Sequence, residues 1–366
     1  MKEKVAVFMS GGTDSSVAAA LLTKQGYDVF GVMLKLWQDP TSEMDNTCCG
    51  ISGFIAASKV CNKLNIPFYV LDARKKFYNT IVNYYINQYE QGCTPNPCIL
   101  CNRTIRFEWL STYAKNLGAD YVATGHYVQN IKGNLHRGMD IKKDQSYMLY
   151  GLKKEALSSV LFPVGGFLKD EVKQIARSEE LPIDITTESQ GICFIPDQKN
   201  IAFLKKYSAK LNIPGPIVNQ NNEIVGQHTG LLSYTIGQRH GIPVSLGYPA
   251  YVLSLNLNTN SLIIGPERYL YKSTLRVKNT NWHNRSATQT VLAQIRYHHE
   301  PVLAKLNFQQ DELSVTFDKP VRAITPGQSI VFYEGNHLLG GGIIDKAIDN
   351  ETIKPPNVEV VEVLKH

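Results

Sequence analysis

Short apolar runs alternate with amphipathic stretches through the first half of this 366-residue chain. Four apolar runs predict buried strands, at 4–9, 27–34, 67–71 and 121–124. Four stretches with helical periodicity predict helices, at 15–24, 54–64, 77–89 and 104–116. Strands that alternate with helices of this length form parallel sheets covered on both faces. We therefore predict an α/β domain with a doubly wound parallel sheet over residues 1–210.

The pattern changes after the turn Pro214-Gly215-Pro216. Short alternating runs, among them 247–256 and 260–265, are separated by Asn, Gly and Pro turns, and helical periodicity is scarce. This pattern is typical of small β domains and antiparallel barrels. We predict a small central β-rich domain over residues 211–285 and a C-terminal antiparallel β-barrel over residues 286–366.

The composition is that of a folded chain, with 43% hydrophobic and 19% charged residues. No apolar stretch approaches the roughly 20 residues that span a bilayer. Residues 1–12 lack the apolar core and cleavage site of a signal peptide. We therefore expect a cytoplasmic protein with no membrane partner.

A mild positive charge, +6 with a pI near 8.8, permits an RNA partner without requiring one. The distribution of this charge along the chain is more informative. The stretch from Tyr271 to Lys305 holds six Lys or Arg residues and a single acid, Glu300, with aromatic residues between them. Basic and aromatic side chains together suit phosphates and unstacked bases. A solvated basic face on a β domain explains the stretch equally well.

A glycine turn joins the first predicted strand to the first predicted helix, with the sequence Ser10-Gly11-Gly12-Thr13-Asp14-Ser15-Ser16. Such a turn brings backbone N–H groups and the positive end of a helix dipole to an oxyanion. Asp14 is unexpected beside phosphate, and its presence suggests bound Mg²⁺ or a cap on its own helix. The Walker pattern is absent. A plain glycine turn with a polar cap is the alternative.

Seven cysteines, all within the first 193 residues, suit thiol chemistry or metal binding in a reducing compartment. Cys98 and Cys101 form a C-x-x-C pair between a Pro-Asn-Pro turn and the helix predicted at 104–116. The position of Cys101 beside that helix N-terminus predicts a low thiol pKa. Cys193 lies far downstream among apolar neighbours. For a lone C-x-x-C, a half zinc site or chance is the favoured explanation.

The other cysteines carry less information. Cys61 lies on the apolar side of its helix pattern and is predicted to be a core residue. Cys48-Cys49 is a candidate partner for a metal site, although a loop or core pair explains it more simply, and Cys93 has no assigned role.

The glycine turn resembles the pyrophosphatase-type loop of enzymes that cleave ATP between the α- and β-phosphates. Further blocks occur in order along almost the whole chain, at 94–102, 123–127, 143–147, 162–166, 189–195, 234–239, 295–297, 325–328 and 339–344. This ordered set resembles the tRNA-specific 2-thiouridylase family. The resemblance implies ATP-dependent 2-thiolation of a uridine in tRNA, at the wobble position of the anticodon.

The family's functional residues map onto this chain position by position. Cys193 would carry a persulfide received from a donor protein, either a cysteine desulfurase or a relay protein, and Cys101 would release the sulfur and end in a disulfide with Cys193. Asn96, Pro97 and Cys98 would line the target-base pocket. The resemblance implies ATP binding, with Mg²⁺, by Phe8, Met9, Ser10, Gly11, Gly12, Thr13, Asp14, Ser15, Leu34 and Gly125.

Contacts to tRNA are implied for a further set of residues: His126, Lys143, Asp144, Gln145, Arg296, Tyr297 and Gln328. From the residues alone, several of these have simpler explanations. His126 follows an apolar strand and would suit a structural histidine, 143–145 would suit a solvated helix start, and Arg296 with Tyr297 would suit packing across a sheet.

This chain departs from the family where many members carry Asp and it carries Cys98. Cys98, Cys101 and Cys193 would supply three thiolates, enough for a [4Fe–4S] cluster with one open iron. Cluster-dependent thiolation is therefore an alternative to the persulfide route. Two other function classes stay open: an ATP-dependent amidotransferase or ligase with the same loop, and an RNA-binding module with a structural zinc.

Overall fold

A five-stranded, wholly parallel sheet forms the N-terminal domain of the computed structural model, which describes residues 2–40, 50–186, 191–195, 199–208, 212–286, 288–309 and 312–348. Its first four strands in chain order are β1 (Lys4–Phe8), β2 (Asp28–Lys35), β3 (Phe68–Asp72) and β4 (Tyr121–Ala123). A hairpin follows, with β5 (Val128–Ile131) and β6 (Asn134–Arg137), and then β7 (Val160–Leu161). The order across the sheet is β3-β2-β1-β4-β7, which confirms the predicted doubly wound fold.

Alternate residues of β1 enter two different hydrophobic cores, one on each face of the sheet. Val5 and Val7 are buried in one core, and Ala6 and Phe8 in the other. A strand buried on both faces needs apolar residues at every position, which explains the continuous apolar run at 4–9.

Helices cover both faces of this sheet. The α-helices are Thr13–Lys24, Ile51–Lys63, Arg74–Phe77, Asn83–Glu90, Pro97–Cys101, Ser111–Asn116, Lys169–Ser178 and Asn200–Tyr207. The π-helical turns Tyr78–Val82 and Asn102–Leu110 join neighbouring α-helices, and the 3₁₀-helices are Ser146–Leu149, Lys154–Ser159, Leu231–Ser233 and Glu267–Leu270. Each predicted helix is present. The one predicted at 104–116 begins earlier than expected, at Pro97.

A smaller four-stranded sheet follows in the chain. Its strands are β8 (Gly215–Val218), β9 (Ile224–His228), β10 (Tyr251–Asn256) and β11 (Ser261–Gly265), in the order β10-β11-β8-β9. Its own apolar core includes Ile217, Val252 and Leu262. The runs predicted at 247–256 and 260–265 thus supply two neighbouring strands.

Six antiparallel strands close into the C-terminal barrel, because the first also pairs with the last. They are β12 (Tyr271–Trp282), β13 (Thr290–Gln294), β14 (Val302–Gln309), β15 (Glu312–Arg322), β16 (Ser329–Glu334) and β17 (His337–Ile348). Strand β12 precedes the boundary near residue 285 that the sequence predicts. The hairpin β5–β6 of the N-terminal domain extends the barrel sheet, with His136 opposite His337.

The stretch from Tyr271 to Lys305 lies mainly in this barrel, and its charge is partly neutralised there. The Arg276 guanidinium pairs with Asp345 at 2.6 Å and with Glu312 at 3.0 Å, and the Lys278 ammonium also lies 3.0 Å from Asp345. Strand pairing brings these acids from outside the stretch, so its net charge overstates the free positive charge of the surface. Within the described part of the chain, no helix combines the length and apolarity needed to cross a membrane.

Candidate active site

A cleft of about 920 Å³ opens where the first strands of the parallel sheet end. It lies where the strand order reverses around β1, the usual place for ligands in doubly wound sheets. Most of the residues that the sequence assigned to the site line it: Phe8, Met9, Ser10, Gly12, Thr13, Asp14, Ser15, Leu34, Asn96, Pro97, Cys98, Cys101, Gly125, His126, Lys143, Gln145, Tyr297 and Gln328. Gly11, Asp144, Cys193 and Arg296 are not among its lining residues.

Hydroxyl groups hold the glycine turn together from within. The Ser15 hydroxyl accepts a hydrogen bond from the Ser10 N–H at 3.2 Å and donates one to the Gly12 carbonyl at 3.1 Å. The Ser16 hydroxyl donates to the same carbonyl at 2.9 Å. These internal bonds give the turn a defined shape, and a preorganised turn reduces the entropic cost of binding an anion.

Two glycines of this region are required by close backbone approaches. Gly11 has φ +81°, and a Cβ there would lie 2.3 Å from the Gly53 carbonyl oxygen. Gly11 thus fixes the turn against the neighbouring helix instead of lining the cleft. A Cβ at Gly125 would lie 2.5 Å from the Asp14 backbone, so the loop after β4 packs directly on the helix start.

Asp14 is not the cap of its helix. The N-cap is Gly12, which makes no side-chain capping bond, and Asp14 is the second helical residue. Its carboxylate oxygen Oδ1 instead lies 2.6 Å from the Lys169 ammonium and accepts a 2.7 Å hydrogen bond from the Tyr127 hydroxyl. The capping hypothesis is therefore wrong, and a tertiary ion pair holds the carboxylate.

The helix that carries the C-x-x-C pair begins at Pro97. The Asn96 side-chain oxygen caps it by accepting from the Cys98 N–H at 3.1 Å, and Pro97 suits the first helical position. Cys98 thus lies in the first turn, and Cys101 is the fifth helical residue and only 8% exposed. The prediction that Cys101 adjoins the helix N-terminus is wrong, because Asn96 and Pro97 start the helix earlier.

Cys193 is half-buried and packs against the hydrophobic core that contains Cys101. Its chain neighbours Gly191 and Ile192 line the cleft. Both cysteines are present as thiols. The structure thus brings residues 92 positions apart in sequence to the same core, whereas Cys48 and Cys49 lie outside the described residues.

The metal hypotheses have no support from this geometry. Among the described residues, no three His, Cys, Asp or Glu side chains are grouped as metal ligands. Cys98, Cys101 and Cys193 therefore do not form the three-thiolate arrangement that an iron–sulfur cluster needs, and the zinc-module alternative has no ligand set in that part of the chain. Cys61 is fully buried, as predicted, and burial raises the pKa of its thiol to about 11.

The barrel contributes Tyr297, His298 and Gln328 to the cleft. The rings of Tyr297 and Tyr147 lie 6.0 Å apart, and burial raises the pKa of Tyr297 to about 12, so its hydroxyl is protonated at neutral pH. The Gln328 amide donates a 2.7 Å hydrogen bond to the Thr94 carbonyl. The cleft is consequently shared between two domains.

His126 is buried and hydrogen-bonded through Nδ1 to the Thr124 hydroxyl at 2.8 Å. Burial, with a smaller contribution from the Arg106 cation, lowers the pKa of His126 to about 3. The imidazole is therefore neutral at physiological pH and contributes hydrogen-bonding capacity rather than charge. Nearby, the Gln145 side-chain oxygen accepts from the Tyr127 N–H at 3.0 Å.

The Asp144 side chain is engaged within the protein, and the expectation that this residue contacts tRNA stays a prediction. Its carboxylate is buried and accepts hydrogen bonds from Arg137 Nη1, the Gly138 N–H, and both the N–H and the hydroxyl of Ser146, at 2.9–3.0 Å. The Arg137 guanidinium also lies 3.8 Å from the ring centre of Tyr333 in the barrel. The partners of the Asp144 carboxylate named here all lie within the protein.

Arg296 is also engaged within the protein. Its guanidinium donates to the carbonyls of Arg322 and Ala323, at 2.7 and 3.2 Å, and burial lowers its pKa. Ala323 has φ +54°, so Arg296 stabilises a backbone conformation that alanine adopts reluctantly. This geometry corresponds to the packing explanation for Arg296.

Several lining residues were missed by the sequence reasoning, namely Thr124, Tyr127, Lys142, Met148, Lys169, Gly191, Ile192 and His298. Most lie within a block that was recognised or directly beside one, so assigning each block as a whole, with one more residue at either end, would have included them. Lys169 could not be found in this way, because only its contact with Asp14, 155 residues earlier in the chain, connects it with the site.

Comparison with known proteins gives three family matches that together cover most of the chain. Residues 3–197 match the family described as the tRNA methyl transferase HUP domain, residues 201–266 its PRC-barrel domain, and residues 272–344 the aminomethyltransferase beta-barrel domain. The HUP match alone spans more than half of the 366 residues.

Curated relatives resemble the chain over nearly its whole length. The tRNA-specific 2-thiouridylase MnmA of Clostridioides difficile is 41% identical over 359 residues, covering 95% of this chain and 99% of the relative. The protein of the same name from Heliobacterium modesticaldum is 43% identical over 362 residues, with 95% and 94% covered. That of Halothermothrix orenii is 42% identical over 355 residues, with 93% and 99% covered.

Proposed function

Because this chain belongs to the tRNA-specific 2-thiouridylase family, we propose that it uses ATP to replace the C2 oxygen of a tRNA uridine with sulfur. The observation that carries the proposal is a single cleft lined both by the glycine turn, through Ser10 and residues 12–15, and by Cys98 and Cys101. Activation of an oxygen by ATP and delivery of sulfur by a thiol must occur at the same carbon. One shared cleft satisfies that requirement.

The first step is adenylation of the uridine. The prearranged turn and Gly125 bind ATP, with Leu34 beside them, and the C2 oxygen of uridine attacks the α-phosphorus so that pyrophosphate leaves. This converts a poor leaving group into AMP. Asn96, Pro97 and Cys98 line the pocket for the base, which the anticodon loop presents unstacked at its wobble position.

Sulfur transfer follows in two balanced steps. Cys193 carries a persulfide received from a donor protein, a cysteine desulfurase or a relay protein. The terminal sulfur attacks C2, a carbon–sulfur bond forms and AMP leaves. The Cys101 thiolate then attacks Sγ of Cys193, the original S–S bond breaks, and its electron pair stays on the sulfur attached to C2. The products are 2-thiouridine and a Cys101–Cys193 disulfide, which thiols of the donor system reduce.

The remaining cleft residues suit contacts with the RNA around the target base. Lys143 offers a cation, neutral His126 and Gln145 offer hydrogen bonds, and Tyr297 and Gln328 reach the cleft from the barrel. Polar and aromatic side chains at the mouth of a deep pocket suit a single-stranded loop with one base turned inward.

Magnesium and iron differ in how well the residues fit them. Mg²⁺ is usually held by substrate phosphates with one or two carboxylates. Asp14 supplies a carboxylate within the glycine turn Ser10–Ser16, which is the phosphate turn of this proposal. When bound, the ion would neutralise phosphate charge, and Asp14 would be its protein ligand. A [4Fe–4S] cluster does not fit the described residues, so no step runs through one.

The test is ATP-dependent incorporation of radiolabelled sulfur into unmodified tRNA, with cysteine and a cysteine desulfurase as the source, followed by identification of the labelled nucleoside. We expect 2-thiouridine from the wild-type protein and none from Cys193→Ser, with cysteine-to-serine replacement at the core residue Cys61 as the matched control. A labelled product other than 2-thiouridine would overturn the proposal. So would pyrophosphate release that tRNA does not stimulate, which is the behaviour of a ligase.

A further inference from the structure

A buried lysine, Lys169, contacts the phosphate turn although it lies far from that turn in the sequence. Lys169 is the first residue of the helix Lys169–Ser178 and is only 9% exposed. Its ammonium lies 2.6 Å from Asp14 Oδ1 and 5.5 Å from the ring centre of Tyr127, and all three side chains line the cleft. The Lys169 N–H is itself fixed by Asp140, at 3.0 Å. The side chain is thus directed to the turn from an anchored helix start.

The phosphate turn lacks a cation of its own. Between Ser10 and Ser16 the single charged residue is Asp14, which by itself repels a polyphosphate. Phosphate sites usually combine backbone N–H groups with a Lys or Arg side chain, since charge-assisted hydrogen bonds are about twice as strong as neutral ones. Lys169 supplies the missing charge at the position where the turn requires it.

A buried ammonium is costly unless an anion compensates it. In the structure the compensating anion is Asp14, whose carboxylate the Tyr127 hydroxyl holds in place at 2.7 Å. A pyrophosphate group in the cleft is a second anion with more charge, and it would compete with Asp14 for the same ammonium. The ion pair therefore orients the Lys169 side chain toward the glycine turn.

We propose that Lys169 binds the β- and γ-phosphates of ATP, and the pyrophosphate released from it, and that Asp14 holds this ammonium when no phosphate is bound. The inference rests on the proposed function, because it assigns a ligand within the same site. Its rival is a purely structural ion pair that joins the helices Thr13–Lys24 and Lys169–Ser178.

Calorimetric titration with inorganic pyrophosphate, in chelator and without added metal, separates the two explanations. We expect Lys169→Gln to weaken pyrophosphate binding by about tenfold or more, because one charge-assisted hydrogen bond is lost. The matched control is Lys115→Gln, which removes an exposed lysine of the helix Ser111–Asn116, outside the lining of the cleft, and should change the affinity by less than about twofold. Lys169→Arg keeps the charge and guards against a folding failure of the Gln variant, so it should retain most of the affinity.

The direction in which Asp14→Asn changes the pyrophosphate affinity distinguishes the two explanations. Removing the carboxylate removes a competitor for the ammonium and a repulsion toward the ligand, so metal-free pyrophosphate should bind more tightly than it does to the wild type. A structural ion pair predicts weaker binding in Asp14→Asn, because that substitution breaks the same pair from its other side. Wild-type affinity in Lys169→Gln would overturn this inference alone. Failure of the wild-type protein to bind pyrophosphate would also remove the ATP-using function on which it rests.

Discussion

The Gln328 side-chain amide, in the barrel, donates a 2.7 Å hydrogen bond to the carbonyl of Thr94, in the N-terminal domain. The Thr94 N–H in turn donates to the Pro326 carbonyl at 2.8 Å. These two bonds fix the start of the segment that carries Cys98 and Cys101. The barrel therefore positions the cysteine segment, in addition to any contact that Gln328 makes with tRNA.

Gln328→Ala should loosen that segment even without tRNA. We expect the alkylation rate of Cys98 and Cys101 in the free protein to rise about fivefold, the equivalent of one neutral hydrogen bond of about 1 kcal/mol. Mass spectrometry of iodoacetamide adducts measures it. Gln238→Ala is the control, because that amide bonds to the His240 carbonyl within the central domain. Unchanged alkylation, with only tRNA affinity reduced, would leave Gln328 as an RNA contact and nothing more.

Asp144→Asn should reduce stability and leave the electrostatics of RNA binding unaltered. The substitution leaves the nearly buried Arg137 guanidinium without its carboxylate, which costs about 3 kcal/mol in the free energy of unfolding. Denaturant titration measures this loss. Asp318→Asn, on an exposed barrel position, should stay within about 0.5 kcal/mol of the wild type.

The salt dependence of tRNA binding completes the test of Asp144. Lys143→Gln should lower the slope of log affinity against log salt by about one ion, because Lys143 offers its charge in the cleft. Asp144→Asn should keep the wild-type slope. A slope that changes in Asp144→Asn and not in Lys143→Gln would reverse the two assignments.

Serine variants of Cys98, Cys101 and Cys193 should differ in the step at which the reaction stops. Cys193→Ser should form no persulfide, because a hydroxyl cannot hold one, whereas Cys101→Ser should accumulate a persulfide on Cys193 without releasing 2-thiouridine. Intact-protein mass spectrometry after reaction with the desulfurase reads out both. Cys98→Ser should retain thiolation. Iron and sulfide in anaerobically purified protein, lost in Cys98→Ser together with activity, would contradict the persulfide route.

Acidification should destabilise the protein through His126. Its folded-state pKa, about 3, lies below the unfolded value of about 6.5, so the unfolded chain binds the proton more readily. The contribution of neutral His126 to the free energy of unfolding is fully present above about pH 6.5. It declines as the pH falls toward 3, by up to about 1.4 kcal/mol per pH unit.

His126→Gln, which keeps a polar partner for Thr124, should therefore lose about 1 kcal/mol less between pH 7.5 and 5.5 than the wild type does. Urea unfolding at the two pH values measures the difference. Equal losses in both proteins would mean that His126 titrates normally in the folded state.

The sequence by itself determined the elements, their order and the phosphate turn. A strand buried on both faces needs an unbroken apolar run, and a helix that covers one face needs a 3.6-residue period, so residues 4–9 and 15–24 specify their structures locally. The cysteine segment and the ordered blocks could also be recognised in the sequence, because each consists of adjacent residues.

Only the tertiary structure decided which charged groups are buried against protein partners and which line the cleft. Asp144 and Lys143 are neighbours in sequence, yet Asp144 is buried against Arg137, whereas Lys143 lines the cleft. Lys169 meets Asp14 across 155 residues, through the packing of two helices. A side chain's partners depend on which surfaces come together in the fold, and a local pattern of residue types carries no information about a partner so distant in the chain.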